Sequence, residues 1–282
     1  MLRLADNQYG KSRVRLVRVK RDGERHQFLE WALEILFRGD FASCFEDGDN
    51  SKVLTTDAMK NTIYSLARDS SACCMEEFAK ELIDFFLSRN LHVSRAEVAV
   101  VEKPWEHLAI GGKSHPTAFI QSSQERYTTR VTRAQGDNFL VTSGLENLVI
   151  MKTAHSGFAG YIHDSLTTLP ETTDRLFGTA VRANWNYTLA DLSFVSLRTK
   201  VRAILLEVFA GHASKSVQHT LYAMGEAVLE RVPEIGEIEL KMPNMHCLLV
   251  DLSRFGQNNP NEIFVPTDEP HGYMEARICR NA

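Results

Sequence analysis

The order in which hydrophobic patterns follow one another limits the fold of this chain more than any other feature. Two strand-like stretches, two helix-like stretches and two more strand-like stretches occur in succession, and the same order then repeats. Two pairs of strands with two helices between them predict an antiparallel sheet with helices on one face, which is an α+β fold. We expect the two units at residues 1–135 and 136–282.

Alternating apolar residues in the first unit predict two strands joined by a turn at residues 21–23, although the segment HQFLEWALEILF can equally be read as a helix. Two amphipathic helices follow, and residues 55–57 supply N-cap chemistry to the first of them. The predicted elements are strands at 13–20 and 26–37, helices at 57–68 and 76–89, and strands at 94–102 and 116–132.

The second unit has the same order with one additional element. A short helix is predicted at 170–177, because Pro170 suits the first turn of a helix. The other predicted elements are strands at 138–152 and 180–188, helices at 192–210 and 216–231, and strands at 237–242 and 246–252. Because helices can cover only one face of such a sheet, we expect the other face to be buried against other subunits in a closed oligomer.

The charge and composition of the chain exclude several classes of partner. Lys plus Arg number 32 against 36 Asp plus Glu, a net charge of -4, so neither nucleic acid nor an anionic membrane is expected. The basic residues from Lys11 to Arg25 alternate with valine and leucine, as on the solvent face of a strand. There is no membrane-spanning apolar run and no signal-peptide pattern, and five cysteines without C-x-x-C spacing fit a reducing compartment.

The sequence lacks the motifs that bind common cofactors. It has no H-E-x-x-H, no paired C-x-x-C, no G-x-G-x-x-G fingerprint, no Walker loop and no G-x-S-x-G elbow, and its ten histidines are scattered. The sequence motifs that usually indicate metal, nicotinamide, flavin or nucleotide triphosphate chemistry are therefore missing. We expect no cofactor and no metal in the chemistry of this chain.

Six segments carry a resemblance to a known family. They are NQYGK at 7–11, TTDAMKNTIY at 55–64, TTLPETTDR at 167–175, SVQHTLYAM at 216–224, PNMH at 243–246 and FGQNNPNEIF at 255–264. In this order and spacing they resemble urate oxidase over nearly the whole chain. The resemblance implies the tunnelling fold, with two β-β-α-α-β-β units in each subunit and a homotetramer that forms an oligomeric barrel.

The resemblance implies a substrate clamp of five residues. Phe158 would stack on the purine, Leu169 would close an apolar wall, and Arg175 would donate two parallel hydrogen bonds to the urate anion. Val217 and Gln218 would bind the opposite edge through a backbone amide and a side-chain amide. Taken alone, the three apolar residues are typical of a core, Arg175 of a surface ion pair and Gln218 of a solvated helix position.

The resemblance also implies proton-handling residues. Lys11 and Thr56 are similar to the family's catalytic dyad, Asp57 lies beside them, and His246 would extend the relay. A lysine acts as a base near neutral pH only if burial or a nearby cation lowers its pKa. Taken alone, Lys11 is typical of an exposed charge at a strand start, and Thr56 of a helix N-cap.

Dioxygen and water would be held by Asn244, with Thr56 beside it, and both residues would also contact the substrate. In this family Lys11, Thr56, Asp57 and His246 are expected to come from the subunit that neighbours the one supplying the clamp. The active site would then exist only in the oligomer.

The implied reaction is the cofactor-free oxidation of urate by dioxygen and water to 5-hydroxyisourate and hydrogen peroxide. The alternative is a related scaffold that binds a purine or pterin without oxidising it, and a metal-dependent pterin enzyme is disfavoured because spaced ligands are lacking.

The chain departs from the family pattern at two places. Met245 stands where the family often has lysine, and the chain ends soon after GYMEARICR without an S-K-L tripeptide, which favours a bacterial-type cytoplasmic enzyme.

Overall fold

The computed structural model describes residues 2–21, 23–121 and 123–280, with only the backbone of Asp268, and the predicted turn residue Asp22 lies outside them. The chain forms two compact units. The first comprises the residues up to Gly144 together with Asn186–Val195, and the second comprises Leu145–Trp185 and the residues from Ser196 onward. The boundary expected at 135/136 stays a prediction.

The first unit contains six strands and three helices among its described residues. Its elements are β1 (Tyr9–Lys20), β2 (Gln27–Gly39), α1 (Ala42–Glu46), α2 (Thr56–Asp69), α3 (Met75–Arg89), β3 (Val93–Lys103), β4 (Glu106–Ile110), β5 (Lys113–Ile120) and β6 (Arg126–Ala134). Four of these strands form an antiparallel sheet in the order β1-β2-β3-β6, and β4 and β5 form a separate hairpin. The α+β class is confirmed.

The second unit repeats the same order of elements. They are β7 (Leu140–Lys152), β8 (Phe177–Tyr187), α4 (Phe194–Gly211), α5 (Val217–Arg231), β9 (Ile235–Leu249), a short 3-10 helix (Ser253–Phe255) and β10 (Phe264–Cys279). The first residues of β7 and α4 and the last residues of β8 belong to the first unit. The strand order is β7-β8-β9-β10, and β9 and β10 run antiparallel. No helix in the described part of the chain is long and apolar enough to cross a membrane.

The ambiguous segment HQFLEWALEILF lies in strand β2. Its buried residues alternate along the strand at Trp31, Leu33, Ile35 and Phe37, and all are at most 1% exposed. A period of two places these side chains on one face of a strand, whereas a helix would spread them around its axis. Burial of this row in the core therefore selects the strand.

The helices cover one face of each sheet with the stripes that the sequence predicts. In the first unit α2 packs on β1, and α3 packs on β3 and β6; in the second unit α5 packs on β9 and β10. Helix α5 buries an apolar stripe with helical spacing, which contains Val217, Leu221, Met224 and Val228.

Three predicted elements differ from the structure. The helix expected at 170–177 does not form, because Thr172 pairs its backbone with Phe158 in an isolated antiparallel bridge. The strand expected at 116–132 is two strands, β5 and β6, of different sheets. The segment 246–252 is not the last strand but continues β9, and the missed strand β10 pairs with it.

Candidate active site

Lys11, Thr56 and Asp57 lie in the first unit, on strand β1 and at the start of helix α2. A β-bulge between Lys11 and Val14 interrupts the pairing of β1 with β2. Gly10 lies against β2 so closely that a Cβ atom there would be 1.8 Å from the carbonyl oxygen of Ile35. Only glycine fits this approach, and together with the bulge it determines where the half-buried Lys11 projects.

Helix α2 begins with a cap that leaves the Thr56 hydroxyl available. The N-cap is Thr55, whose side-chain oxygen accepts a hydrogen bond from Ala58 N at 3.1 Å. Thr56 is therefore the first helical residue and not the cap. Within the described residues its hydroxyl has no hydrogen-bond partner, and its side chain is half-buried. A threonine in this position can both donate and accept a proton.

Asp57 is exposed and is bound by its own helix. Its carboxylate accepts hydrogen bonds from Lys60 Nζ at 2.7 Å and from Asn61 Nδ2 at 2.8 Å. The hydrogen bond from Lys60 lowers the pKa of Asp57, and the charge of Lys11 contributes a smaller lowering. The carboxylate is therefore ionised at neutral pH, and Lys11 is near enough to interact electrostatically with it.

The second unit holds the predicted clamp, built on a short backbone network. Phe158 N donates to Thr172 O at 2.8 Å and Thr172 N donates back to Phe158 O at 3.0 Å. Gly157 N donates to Ser214 O at 2.8 Å, and Ser156 N donates to the carboxylate of Asp174 at 3.1 Å. These hydrogen bonds join Phe158 to the segment that precedes Arg175 and to the residues just before α5.

Arg175 lies over the ring of Phe158 with one donor unused. Its guanidinium carbon is 5.0 Å from the ring centroid. Its Nε is buried and has no hydrogen-bond acceptor among the described residues. Burial lowers the pKa of Arg175, but a guanidinium keeps its charge at neutral pH. A buried donor on a charged group is costly unless an acceptor reaches it, so the arrangement suits an anionic ligand.

Helix α5 begins at Val217 and presents its first turn beside this network. Ser216 is the N-cap, and its side chain accepts from His219 N at 3.1 Å. The first backbone N–H groups, those of Val217 and Gln218, have no carbonyl partner within the helix and carry the positive end of the helix dipole. Val217 is buried and Gln218 is exposed, so the side-chain amide of Gln218 is accessible.

Asn244 and His246 lie on one face of β9, and Met245 lies on the other. The amide nitrogen of Asn244 is 3.4 Å from Nδ1 of His246. A Cβ atom at Gly178 would lie 3.4 Å from Cβ of Met245, so Met245 faces strand β8. His246 therefore accompanies Asn244 in the second unit. Its expected origin in the subunit that supplies Lys11 and Thr56 stays a prediction.

Tyr161 and Asp174, which the sequence did not predict, contact residues of the predicted clamp or their neighbours. Tyr161 stacks on Phe158 with centroids 4.8 Å apart and an interplanar angle of 16°, and its hydroxyl donates to the carbonyl oxygen of Leu169. Asp174 holds Ser156, as described above. The aromatic residue three positions after Phe158 and the acid directly before Arg175 were the available signals. Leu169 itself is 52% exposed and forms no closed wall within this chain.

A half-buried lysine, Lys152, lies near the segment that precedes α5. Lys152 donates to the carbonyl oxygen of His212 at 2.6 Å, and burial lowers the pKa of its ammonium, which Asp174 partly offsets. The His212 ring is 4.4 Å from that of His219, and burial lowers the pKa of His212. This neighbourhood adds positive potential to the helix terminus and would favour an anion there.

Comparison with known proteins identifies the family. The family model described as Uricase matches residues 7–132 and 141–275. The chain is 40% identical over 277 residues to a uricase of Arthrobacter globiformis, covering 98% of this chain and 90% of that protein. A uricase of Dictyostelium discoideum is 35% identical and covers 100% and 99% of the two chains.

Solved structures agree with this assignment. The crystal structure of the Arthrobacter globiformis uricase superposes with a TM-score of 0.94 at 39% identity, covering 99% of this chain and 96% of the other. A uricase from Bacillus fastidious, at 24% identity, has a TM-score of 0.84 over 97% and 93% of the two chains, which shows the common fold. The chain therefore belongs to the uricase family.

Proposed function

We propose that the protein is a urate oxidase that converts urate, dioxygen and water into 5-hydroxyisourate and hydrogen peroxide. The observation that carries the proposal is Arg175, which lies over the Phe158 ring and whose buried Nε has no acceptor among the described residues. A flat ring to stack on, a charged planar donor and two free helix N–H groups match a planar, delocalised anion with lactam edges.

In the proposed complex the purine stacks on Phe158, and Arg175 donates to one edge of the urate anion. The backbone N–H of Val217 and the side-chain amide of Gln218 complement the opposite edge, and Leu169 adds apolar contact. Arginine suits this role better than lysine because its guanidinium offers two parallel donors in one plane. Holding the ring at both edges presents its face to dioxygen.

Lys11 and Thr56 are proposed to move the proton. The Thr56 hydroxyl passes a proton from urate to the Lys11 amine, and Asp57 lies beside this pair and contacts the substrate. Removing this proton raises the electron density of the purine, which then gives two electrons to dioxygen. Because urate is itself the reductant, we infer that no cofactor is required. Asn244, with Thr56, would hold dioxygen and then water above the ring.

We place His246 on the clamp side of the proposed site, in the chain that supplies Asn244. Its Nδ1 lies beside the amide of Asn244, so it can orient that amide and accept a proton from the attacking water. Lys11, Thr56 and Asp57 would come from a neighbouring subunit of a homotetramer. The resemblance to urate oxidase implies this division, in which the dyad belongs to the first unit of one chain and the clamp to the second unit of its neighbour.

The test is to mix the purified protein with urate in air and follow urate absorbance together with peroxide. One peroxide formed for each urate consumed is the expected result. Unchanged urate absorbance, with urate nevertheless bound, would favour the alternative of a purine-binding scaffold. Loss of urate without peroxide would contradict the proposed transfer of electrons to dioxygen.

A further inference from the structure

The connection between α2 and α3 brings three potential metal ligands together. The sulfur atoms of Cys73 and Cys74 and a carboxylate oxygen of Glu77 all lie within 4.8 Å of one another. The adjacent pair Cys-Cys-x-x-Glu does not have the C-x-x-C spacing of common zinc motifs. Thr56 stands at the opposite end of α2, roughly 20 Å away along a helix of 14 residues.

Hydrogen bonds hold this connection in place without an ion. Cys73 N donates to Glu77 Oε2 at 3.0 Å, and the Cys73 sulfur is 3.4 Å from the same oxygen. Arg18 of β1 donates to the carbonyl oxygens of Ser70 and of Ala72, the latter at 3.1 Å. The three ligands are therefore largely ordered beforehand, which lowers the entropic cost of binding.

The ligand atoms match one class of cation. Two sulfurs and one carboxylate oxygen suit zinc or cadmium, whereas magnesium and calcium prefer oxygen alone. Tetrahedral zinc places such ligand atoms about 3.5 to 3.8 Å apart, so the distances between them would have to shorten by at most about 1.3 Å to complete the geometry. Cys74 is buried, Glu77 is half-buried and Cys73 is exposed, which leaves one side open for a water as fourth ligand.

We propose that Cys73, Cys74 and Glu77 form a binding site for a thiophilic divalent cation of the zinc class. Each thiol loses its proton to water as a metal–sulfur bond forms, and no atom changes its oxidation state. Burial is the main cause that raises the pKa of both thiols, with Glu77 adding to it at Cys73 and Glu76 at Cys74. The ion must therefore displace two protons, so its affinity should rise with pH.

The experiment titrates the full chain with cadmium under a non-thiol reductant and follows the ultraviolet thiolate-to-cadmium absorption. Wild type is expected to bind one ion at this site and to release two protons in weakly buffered solution. Cys73→Ser, at an exposed position, should weaken this binding by more than about 100-fold, beyond the loss typical of an outer-shell partner. Cys279→Ser, which removes another exposed thiol, is the matched control and should bind as wild type does.

Glu77→Gln distinguishes the three-ligand site from a thiol pair and should also weaken binding. An unchanged affinity in Cys73→Ser, or no thiolate absorption in wild type, would overturn the proposal. The site is separate from the proposed catalytic residues, so Cys73→Ser should oxidise urate at the wild-type rate. Zinc should raise the Tm of wild type and leave that of Cys73→Ser unchanged.

Discussion

Arg175 has a desolvated donor before any ligand binds. Its Nε is buried without an acceptor in the described part of the chain, and the Phe158 ring covers its guanidinium. The free-energy cost of removing water from Nε is thus included in the free energy of folding. An anion that binds there gains the hydrogen bond without that cost. The buried donor of Arg175 therefore indicates a binding site more strongly than the position of this arginine in the sequence does.

Arg175→Ala is expected to weaken urate binding by about 2 to 5 kcal/mol, because the bound anion would lose a charged pair of donors. Calorimetry under nitrogen measures the affinity without turnover. Arg182→Ala is the control, since Arg182 is exposed and forms an ion pair with Glu146 at 3.1 Å, away from the residues assigned to the clamp. Near-normal affinity in Arg175→Ala would remove this residue from the clamp.

Lys11→Met is expected to lower turnover by about two to four orders of magnitude, the range for a positioned acid or base, while urate still binds. The reason is that the clamp residues belong to a different unit and keep their contacts. Stopped-flow absorbance with binding measured separately distinguishes the two effects. Lys113→Met, at an exposed position beside the β4–β5 turn, is the control and should oxidise urate at the wild-type rate. An equal loss of binding and turnover would argue against a role in proton transfer.

At the scale of elements, the segment from Phe158 to Arg175 is a loop held by its own rings and carboxylates. Tyr161 stacks on Phe158 and also on His163, with centroids 4.8 Å apart in both pairs. Glu171 accepts from Gly160 N at 2.9 Å, and this hydrogen bond is the main cause that lowers the pKa of its carboxyl. These contacts replace the helix that Pro170 suggested.

Tyr161→Leu should raise KM for urate by about two- to tenfold with little change in kcat, because an aromatic pair contributes about 0.5 to 1.5 kcal/mol to the position of Phe158. Tyr161→Phe keeps the ring and should recover most of the loss. Steady-state kinetics separate KM from kcat, and Tyr222→Leu, at an exposed position of α5, is the control. A fall in kcat alone would contradict a positioning role.

The elements whose stripes or alternation were clear could be predicted from sequence. Helices α2, α3 and α5 agree closely with their patterns, since each buries one face with period 3.6. Strand β10 was missed because Pro266, Pro270 and Gly272 interrupt its alternation, and only its pairing with β9 makes it a strand. Pairing partners distant in sequence leave no local signal.

At the scale of the whole molecule, the proposed site needs an assembly. Lys11→Met and Arg175→Ala, each inactive alone, should regain partial activity when they are refolded together, because mixed interfaces would pair an intact dyad with an intact clamp. Activity measured against each variant refolded alone is the comparison. Absence of recovery, with mixed oligomers verified by two different tags, would mean that both residues serve a site within one chain.

The sequence by itself determined the repeated α+β order and the faces of the helices, and its resemblance to urate oxidase implied the residues of the proposed site. The order and the faces follow from local periodicity, which neighbouring residues alone encode, whereas the resemblance rests on six short segments. Only the tertiary structure decided that β2 is a strand, that 170–177 is a bridged loop and that Nε of Arg175 is buried without an acceptor among the described residues. Burial, strand pairing and desolvation depend on residues far apart in the chain, so no local pattern could specify them.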